Sequence, residues 1–508
     1  MDFQPSETAC QSTPISHLES HNLECRILIQ PQDPSQFRSE SGSYVNHVSL
    51  HLRSYPNASY GTIRCIAIMP CTERASYTIL EPVRCEIYYD SKGSSVFIRH
   101  RLMLPAFTLC DSDEACGEVA TGVTVPPFTN FQVDPGAWAI YSGAGPCGLL
   151  FQFLVYPRSH SLSVLQMTAL PQRTEPKRKL SEMDETLGTQ TPDTRLPIRA
   201  IDSLVDVTAG ETVCVTRRQV EEYRIQRLQE AGFDTEYSTV FKAKVTAYPN
   251  EVVAVKVIKG QDPVSRAKAW EHEVRFHRRL QSDVIVSLLG ADARLSALYL
   301  KAVNAFDLGH RGWRDRSFYF KGNNRDALRV LGDMGRALEY LRKHDIVHHD
   351  IKPSNILYRS EAGAVLIDFG LGSSSNSDGH TGGTPWYVGP EYLSSDNQGR
   401  QDGKGLRAFE DVWALGVVML YLLRFIPLPD TGQQVKSWLI KDVGKPDSEA
   451  TERMRLWLDV VGDIVKEKLD DGDDFHDIIR RMLTRSPETR IEPEQIVEAL
   501  KKITTLEN

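Results

Sequence analysis

No cysteine follows Cys214, and the nine that the chain contains all lie between Cys10 and Cys214. The count is odd, no C-x-x-C occurs, and neither Cys65 with Cys71 nor Cys110 with Cys116 has the spacing of a zinc knuckle. Buried free thiols in a reducing compartment are therefore the simpler expectation, with a metal site as the lesser alternative. Long apolar runs are missing as well. Val417–Leu423 is among the longest and falls well short of the roughly 20 residues that span a bilayer. Met1-Asp2-Phe3-Gln4-Pro5-Ser6-Glu7 has neither a basic start nor an apolar core, so no secretory signal is expected. These absences place the protein in the cytosol or nucleus, off the membrane. A basic stripe is also lacking, and a net charge of -8 argues against direct nucleic-acid binding.

What is present is an ordinary globular composition, 41% hydrophobic and 25% charged over 508 residues. That is enough for about two to four domains. Residues 1–21 are polar and read as a loose tail. Across residues 22–157 short apolar runs such as Cys25–Ile29, Ile63–Ile68, Cys85–Tyr89, Val96–Ile98 and Leu149–Val155 alternate with turn residues such as Asp90-Ser91-Lys92-Gly93. Run length and β-branched and aromatic enrichment predict an all-β sandwich. It carries no catalytic constellation, so partner binding is its expected role. Residues 158–214 hold Pro171, Pro176, Pro192 and Pro197 among Ser, Thr and charges, and read as a linker. Within it, Lys177-Arg178-Lys179 and Thr191-Pro192 are candidate import and phosphorylation sites, each weighed against a plain solvated segment.

The chemistry is concentrated in His348-His349-Asp350-Ile351-Lys352-Pro353-Ser354-Asn355, a polar loop between the apolar runs Ile346-Val347 and Ile356-Leu357-Tyr358. Phosphoryl transfer needs a carboxylate to orient the attacking hydroxyl, an ammonium to neutralise phosphate charge and an oxygen donor for Mg²⁺. Asp350, Lys352 and Asn355 supply these in one short span. After the run Val365-Leu366-Ile367 comes Asp368-Phe369-Gly370, a second metal-binding carboxylate at a strand end. With these motifs in this order the chain resembles the protein kinases, and Lys352, two residues after Asp350, resembles the serine/threonine branch.

The resemblance covers residues 215–505 and implies a bilobal α+β kinase domain, with an N lobe over 215–303 and a C lobe over 304–505. Val252–Ile258 is a strand apolar on both faces except for Lys256, and a buried ammonium needs an anionic partner. Ala267–Leu280 reads as an amphipathic helix with Trp270, Val274, His277 and Leu280 on one face. The family pattern then assigns Lys256 to the α/β-phosphates of ATP and Glu273 to Lys256, and places Val240, Ala254, Val303 and Ala305 at the nucleotide. Asp368 and Asn355 would hold Mg²⁺. Arg325–His344 is the helix expected to deliver the chain into the catalytic loop. Thr384-Pro385-Trp386-Tyr387-Val388-Gly389-Pro390-Glu391 resembles the end of an activation segment. It implies Thr384 near Asp350 and Lys352, Glu391 paired with Arg490, and Asp411 bracing the catalytic-loop backbone. Asp470, Asp471, Asp473 and Asp474 read as a solvated loop, with cation binding as the lesser alternative.

Two departures stand out. The three glycine positions of the family's phosphate loop fall on Phe233, Thr235 and Ser238, with only Gly232 nearby, and side chains there hinder close approach of backbone N–H groups to phosphate. His349 stands where the motif usually has arginine. Two functions follow: a serine/threonine kinase using ATP and Mg²⁺ on protein substrates, or a pseudokinase scaffold. The order Cys85–Tyr89, turn, Val96–Arg99 and later Val133–Ile140 resembles part of a forkhead-associated domain, which implies a phosphoprotein partner. The signatures of that family are not cleanly present, and only Arg99 with Ser94 and Ser95 offer themselves for phosphate.

Overall fold

A computed structural model describes residues 26–32, 38–39, 47–53, 62–68, 75–101, 107–111, 122–142, 148–165, 197–229, 232–260, 262–374, 382–393 and 408–506. It divides into two compact units, Met1–Glu271 with Gly290–Tyr299, and His272–Leu289 with Leu300–Asn508.

In the first unit the short apolar runs are strands. A seven-stranded sheet has the order His47–Arg53, Thr62–Ile68, Ile27–Pro31, Leu149–Val155, Gly136–Ser142, Phe107–Asp111 and Val123–Val125. A five-stranded sheet has the order Asn130–Val133, Val96–His100, Cys85–Tyr89, Ser76–Glu81 and Arg38–Ser39. Alternation decides which side chains go inward: Val96, Ile98 and His100 are buried while Phe97 and Arg99 are half-buried. Ile27, Ile29, Phe151 and Phe153 of the first sheet join Ile79, Ile87 and Ile98 of the second in one core cluster. Cys85, Cys110 and Cys214 are buried and unbridged.

Strands also occur within residues 158–214, where the proline content suggested a linker. His160–Leu165 pairs with both Pro197–Ile201 and Thr212–Arg217, and the last pairs with Val220–Arg227. They lie in a nine-stranded sheet that continues through Ser238–Val245, Val252–Ile258, Ala297–Lys301 and Leu288–Asp292, with Phe233–Asp234 on the Ser238–Val245 strand. The signal was local and short. His160-Ser161-Leu162-Ser163-Val164-Leu165 alternates with Leu162 and Val164 buried, but it abuts a proline-rich stretch that obscures the period. Residues 166–196, including Lys177-Arg178-Lys179 and Thr191-Pro192, lie outside the described residues.

Helix α1 (Pro263–His277) begins at Asp262, whose carboxylate accepts from Ser265 N at 2.9 Å. Its apolar face is buried as expected, with Trp270 donating to Ala297 O at 3.0 Å. Its polar face meets the five-stranded sheet. Arg266 reaches Asp90 at 3.0 Å, and Glu271 accepts from Ala75 N and Ser76 Oγ, each at 2.9 Å.

The second unit is mainly helical, with a three-stranded and a two-stranded sheet among its described residues. α2 (Asn324–Lys343) is opened by a capping box: Asn323 Oδ1 accepts from Asp326 N at 3.2 Å and Asp326 Oδ2 from Asn323 N at 3.0 Å. Leu331, Leu338 and Leu341 form its buried face, with Leu328 partly covered. α3 (Ala408–Leu422) is buried on every side from Val412 onward, which matches its apolar sequence. α4 (Glu449–Lys468), α5 (Asp474–Met482) and α6 (Pro493–Leu506) complete this unit's core around Trp413 and Trp457. The acidic group before α5 has structural work. Asp473 caps the helix through Phe475 N at 2.8 Å, and Asp471 pairs with Arg480 at 2.7 Å. Among the described residues no helix is long and apolar enough to cross a membrane.

Candidate active site

In the second unit, α2 hands the chain to Ile346–Val347, which pairs antiparallel with Ser373–Ser374. The loop that follows is held by its backbone. The Asp411 carboxylate, at the start of α3, accepts from His348 N at 2.7 Å and His349 N at 2.8 Å. Asp411 is buried, and desolvation pushes its pKa above the ordinary carboxylate range even with both N–H groups in place. His348 is also buried. Its Nδ1 accepts from Asp350 N at 3.2 Å, so Nε2 carries the proton and donates to Ile367 O at 3.0 Å. His349 sits at a φ of 63°, a left-handed conformation that turns the chain so that Asp350 leaves the core.

The side chains of the loop converge. Asn355 Nδ2 donates to Asp350 O at 2.8 Å and to Asp350 Oδ2 at 2.9 Å. Lys352 Nζ stands 2.7 Å from Asp350 Oδ2 and 2.8 Å from Thr384 Oγ1, and that hydroxyl donates to Asp350 Oδ1 at 2.7 Å. Thr384 gets this close because Gly383 precedes it. Gly383 has a φ of 145°, and a Cβ there would lie 3.0 Å from His349 O. Asp350, Lys352, Asn355 and Thr384 thus form one closed constellation.

Asp368 adopts a φ of 69°, and its Oδ1 accepts from Gly370 N at 3.2 Å. Phe369 is fully buried, its ring 5.1 Å from that of His277 and 4.9 Å from that of His348. Glu273 is buried too, with Oε2 3.7 Å from where a Cβ on Gly370 would be. Ile367 N donates to Asn355 O at 3.0 Å, which ties the turn carrying Asp368 to the loop that holds Asp350. Farther away, Arg490 and Glu391 form a buried two-point ion pair with both N···O distances at 2.9 Å, the guanidinium lying over the Trp413 ring. Val303 and Ala305 lie half-buried in the irregular stretch after Ala297–Lys301.

In the first unit, Val240 faces Lys256 and Lys242 faces Ala254 across the antiparallel pair Ser238–Val245 and Val252–Ile258. Lys256 is buried. The segment at the phosphate-loop position is a tight hairpin with Phe233 opposite Val240. Its tip closes on itself. Thr235 N donates to Ser238 O at 2.9 Å, while Thr235 Oγ1 accepts from Tyr237 N at 3.2 Å and Ser238 N at 3.1 Å. Asp234 accepts from Thr239 and Lys259, and Phe233 and Tyr237 are exposed. The N–H groups that a glycine-rich loop offers to phosphate are here used internally.

Of the residues named for phosphate recognition in the N-terminal region, Arg99 faces Glu86 and Asn130 across its two neighbouring strands. Ser94 Oγ accepts from Arg158 N at 3.3 Å, and Ser95 Oγ lies 2.6 Å from Asp134 Oδ1. These hydroxyls are already engaged. Glu410, 3.0 Å from His349 Nδ1, carried no sequence signal, since an acid beside Asp411 in a helix start reads as a cap.

Asp350 is thus tied to an amide, an ammonium and a threonine hydroxyl, the kinds of group that phosphoryl transfer calls for. Residues 234–500 match the model of the protein kinase domain, more than half of the chain, and the chain belongs to the protein kinase family. Calcium/calmodulin-dependent protein kinase type 1 of Macrobrachium nipponense is 31% identical over 194 residues, 37% of this chain and 53% of that protein. Type 1B of Rattus norvegicus is 28% identical over 258 residues, 49% of this chain and 67% of that protein. Serine/threonine-protein kinase PLK4 of Drosophila persimilis is 28% identical over 308 residues, 57% of this chain and 33% of that protein. The chain therefore spans about half the length of the first of these relatives and a third of the last.

Proposed function

We propose that the chain transfers the γ-phosphoryl group of ATP to serine or threonine hydroxyls of protein substrates. The observation that carries this reading is the contact of Asp350 with Lys352, Asn355 and Thr384. Asp350 orients the acceptor hydroxyl and takes its proton, while Lys352 places positive charge beside the transferring group. Thr384 and Asn355 hold the Asp350 carboxylate at both of its oxygens. The residues fit a divalent cation: Asn355 commits its Nδ2 to Asp350, which leaves its amide oxygen for metal, and Asp368 offers a carboxylate held by Gly370 N. Mg²⁺, when bound, neutralises charge on the phosphates. On the kinase pattern Lys256 would orient the α/β-phosphates with Glu273 as its proposed partner, and Val240, Ala254, Val303 and Ala305 would line the nucleotide.

Residues 22–157 are read as a β-sandwich module that binds protein partners, on the support of the core shared by its two sheets. A forkhead-associated identity gains no support from Arg99, Ser94 or Ser95. Cytosol or nucleus remains the proposed location.

One observation favours a second reading, a pseudokinase scaffold: the hairpin at Thr235–Ser238 spends its N–H groups on itself. Radiolabelled phosphate transfer to generic protein acceptors by the purified full chain separates the two. Asp350→Asn keeps the shape and loses the basic oxygen, so transfer should fall at least about a hundredfold. Equal, background labelling by wild type and Asp350→Asn under both Mg²⁺ and Mn²⁺ would leave the scaffold reading.

A further inference from the structure

The first unit contains a small, partly open pocket with a cavity volume of about 30 Å³, and Arg26, Arg158, His160 and Arg294 are among its lining residues. Asp90 and Ser91 line it as well. Most of the charge here is already matched. Arg294 pairs with Asp292 at 2.6 Å and Glu222 at 2.7 Å, Asp90 with Arg266 at 3.0 Å, and Arg158 with the exposed Asp202 at 2.7 Å.

Arg26 is the exception. It is 5% exposed, and the carboxylate whose charge acts on it, Asp90, is already paired with Arg266. Its Nη2 donates to the carbonyls of Ser94 and Ser95, which fastens the Asp90–Ser95 turn, but Nη1 is buried and has no hydrogen-bond partner among the described residues. His160, 8% exposed, likewise has a buried Nε2 with no hydrogen-bond partner among the described residues, and it lines the same pocket. A guanidinium used only as a turn clamp would not leave a buried donor idle, because an unsatisfied charged donor costs more than the hydrogen bonds it fails to make. Burial pulls even Arg26 down to about 10.

We propose that this pocket binds a compact oxyanion of the phosphate class, either inorganic phosphate or the phosphoryl group of a phosphate monoester, held by Arg26 Nη1, His160 Nε2 and the Arg158 guanidinium. An anion supplies at one point what both orphaned atoms lack, a charged acceptor for Arg26 and a partner for the imidazole. Arg158 already spans the mouth, with Nη1 on Lys92 O at 2.9 Å and Nη2 on Asp202. Its exposed carboxylate partner is the one most easily exchanged for a ligand, since a solvent-facing ion pair contributes little. The proposal is independent of phosphotransfer by the second unit, and it uses none of Arg99, Ser94 Oγ or Ser95 Oγ.

The test is isothermal titration of the full chain with inorganic phosphate, and separately with O-phosphoserine against serine, at matched ionic strength. Arg26→Gln and Arg158→Gln are carried in parallel. Saturable binding of phosphate, phosphoserine or both by wild type, weakened at least about tenfold in each variant, is expected. Binding of phosphoserine alone identifies the ligand as a monoester. Circular dichroism reports folding, and if Arg26→Gln is unfolded, Arg158→Gln, whose side chain is 22% exposed, decides the matter. Phosphate bound at a nucleotide site elsewhere would be insensitive to both substitutions. No saturable heat with wild type, or undiminished binding in the folded variants, overturns the proposal.

Discussion

His349 Nε2 lies 2.6 Å from Ser373 Oγ, and both side chains are buried. The imidazole is held from the other side by Glu410 at 3.0 Å. Where the kinase motif carries an arginine that clamps a phosphorylated activation segment, this chain has a shorter ring already committed at both nitrogens. It lacks the fixed charge and forked donors that phosphate recognition uses. Ser373 is thereby a structural residue, distinct from Ser375, Ser377 and Thr381, which lie outside the described residues. Replacing Ser375, Ser377 and Thr381 together with alanine should change phosphotransfer by less than about tenfold. A hundredfold loss in the folded triple variant would show that a phosphate clamp exists after all.

Thr384 joins Asp350 to Lys352 through one hydroxyl. Without it the lysine is left with only the carboxylate, and the carboxylate loses a donor at Oδ1. Thr384→Ala should lower kcat by about ten- to a hundredfold with little change in the KM for protein acceptor. Thr384→Ser, which keeps the oxygen, should recover most of the rate. Equal rates for the alanine and serine variants would sink the positioning role.

At the phosphate-loop hairpin, Thr235 Oγ1 occupies the N–H groups of Tyr237 and Ser238. Thr235→Gly removes that acceptor and restores the residue type of the family's loop. Each freed donor is worth about 1 kcal/mol to a phosphate oxygen, so the KM for ATP should fall by roughly fivefold or more. An unchanged or raised KM would mean that the hairpin does not contact nucleotide.

His160 gives a pH dependence with a defined sign. Burial, then the neighbouring Arg294, push its pKa down to about 4, against an ordinary value of 6.5. The unfolded chain binds the proton first, so stability from this group is complete above 6.5 and is lost as pH falls toward 4. The loss over that window is on the order of 3 kcal/mol. Urea denaturation of wild type and His160→Gln between those limits should show a shallower acid decline in the variant. Parallel curves would remove His160 as the cause.

A short, contiguous set of converging polar side chains was legible from the residues alone. Asp350, Lys352 and Asn355 lie within one loop and Asp368 at a strand end, so local pattern is enough to bring them near each other. Lys256 in an otherwise apolar strand and the α2 and α3 periodicities follow from burial rules that act over a few residues. The Glu391–Arg490 pair and the Asp411 brace were legible only through the kinase resemblance, because nothing local links residues so far apart in the chain. The strands inside residues 158–214 were missed because their pairing partners, not their composition, decide them. Tertiary structure alone decided that His349 is locked between Glu410 and Ser373, that the phosphate hairpin satisfies itself, and that Arg26 and His160 meet in one pocket. The physical reason is common to all three. A side chain's type sets which bonds it can make, but whether a donor is used, idle or buried depends on atoms the fold brings from elsewhere.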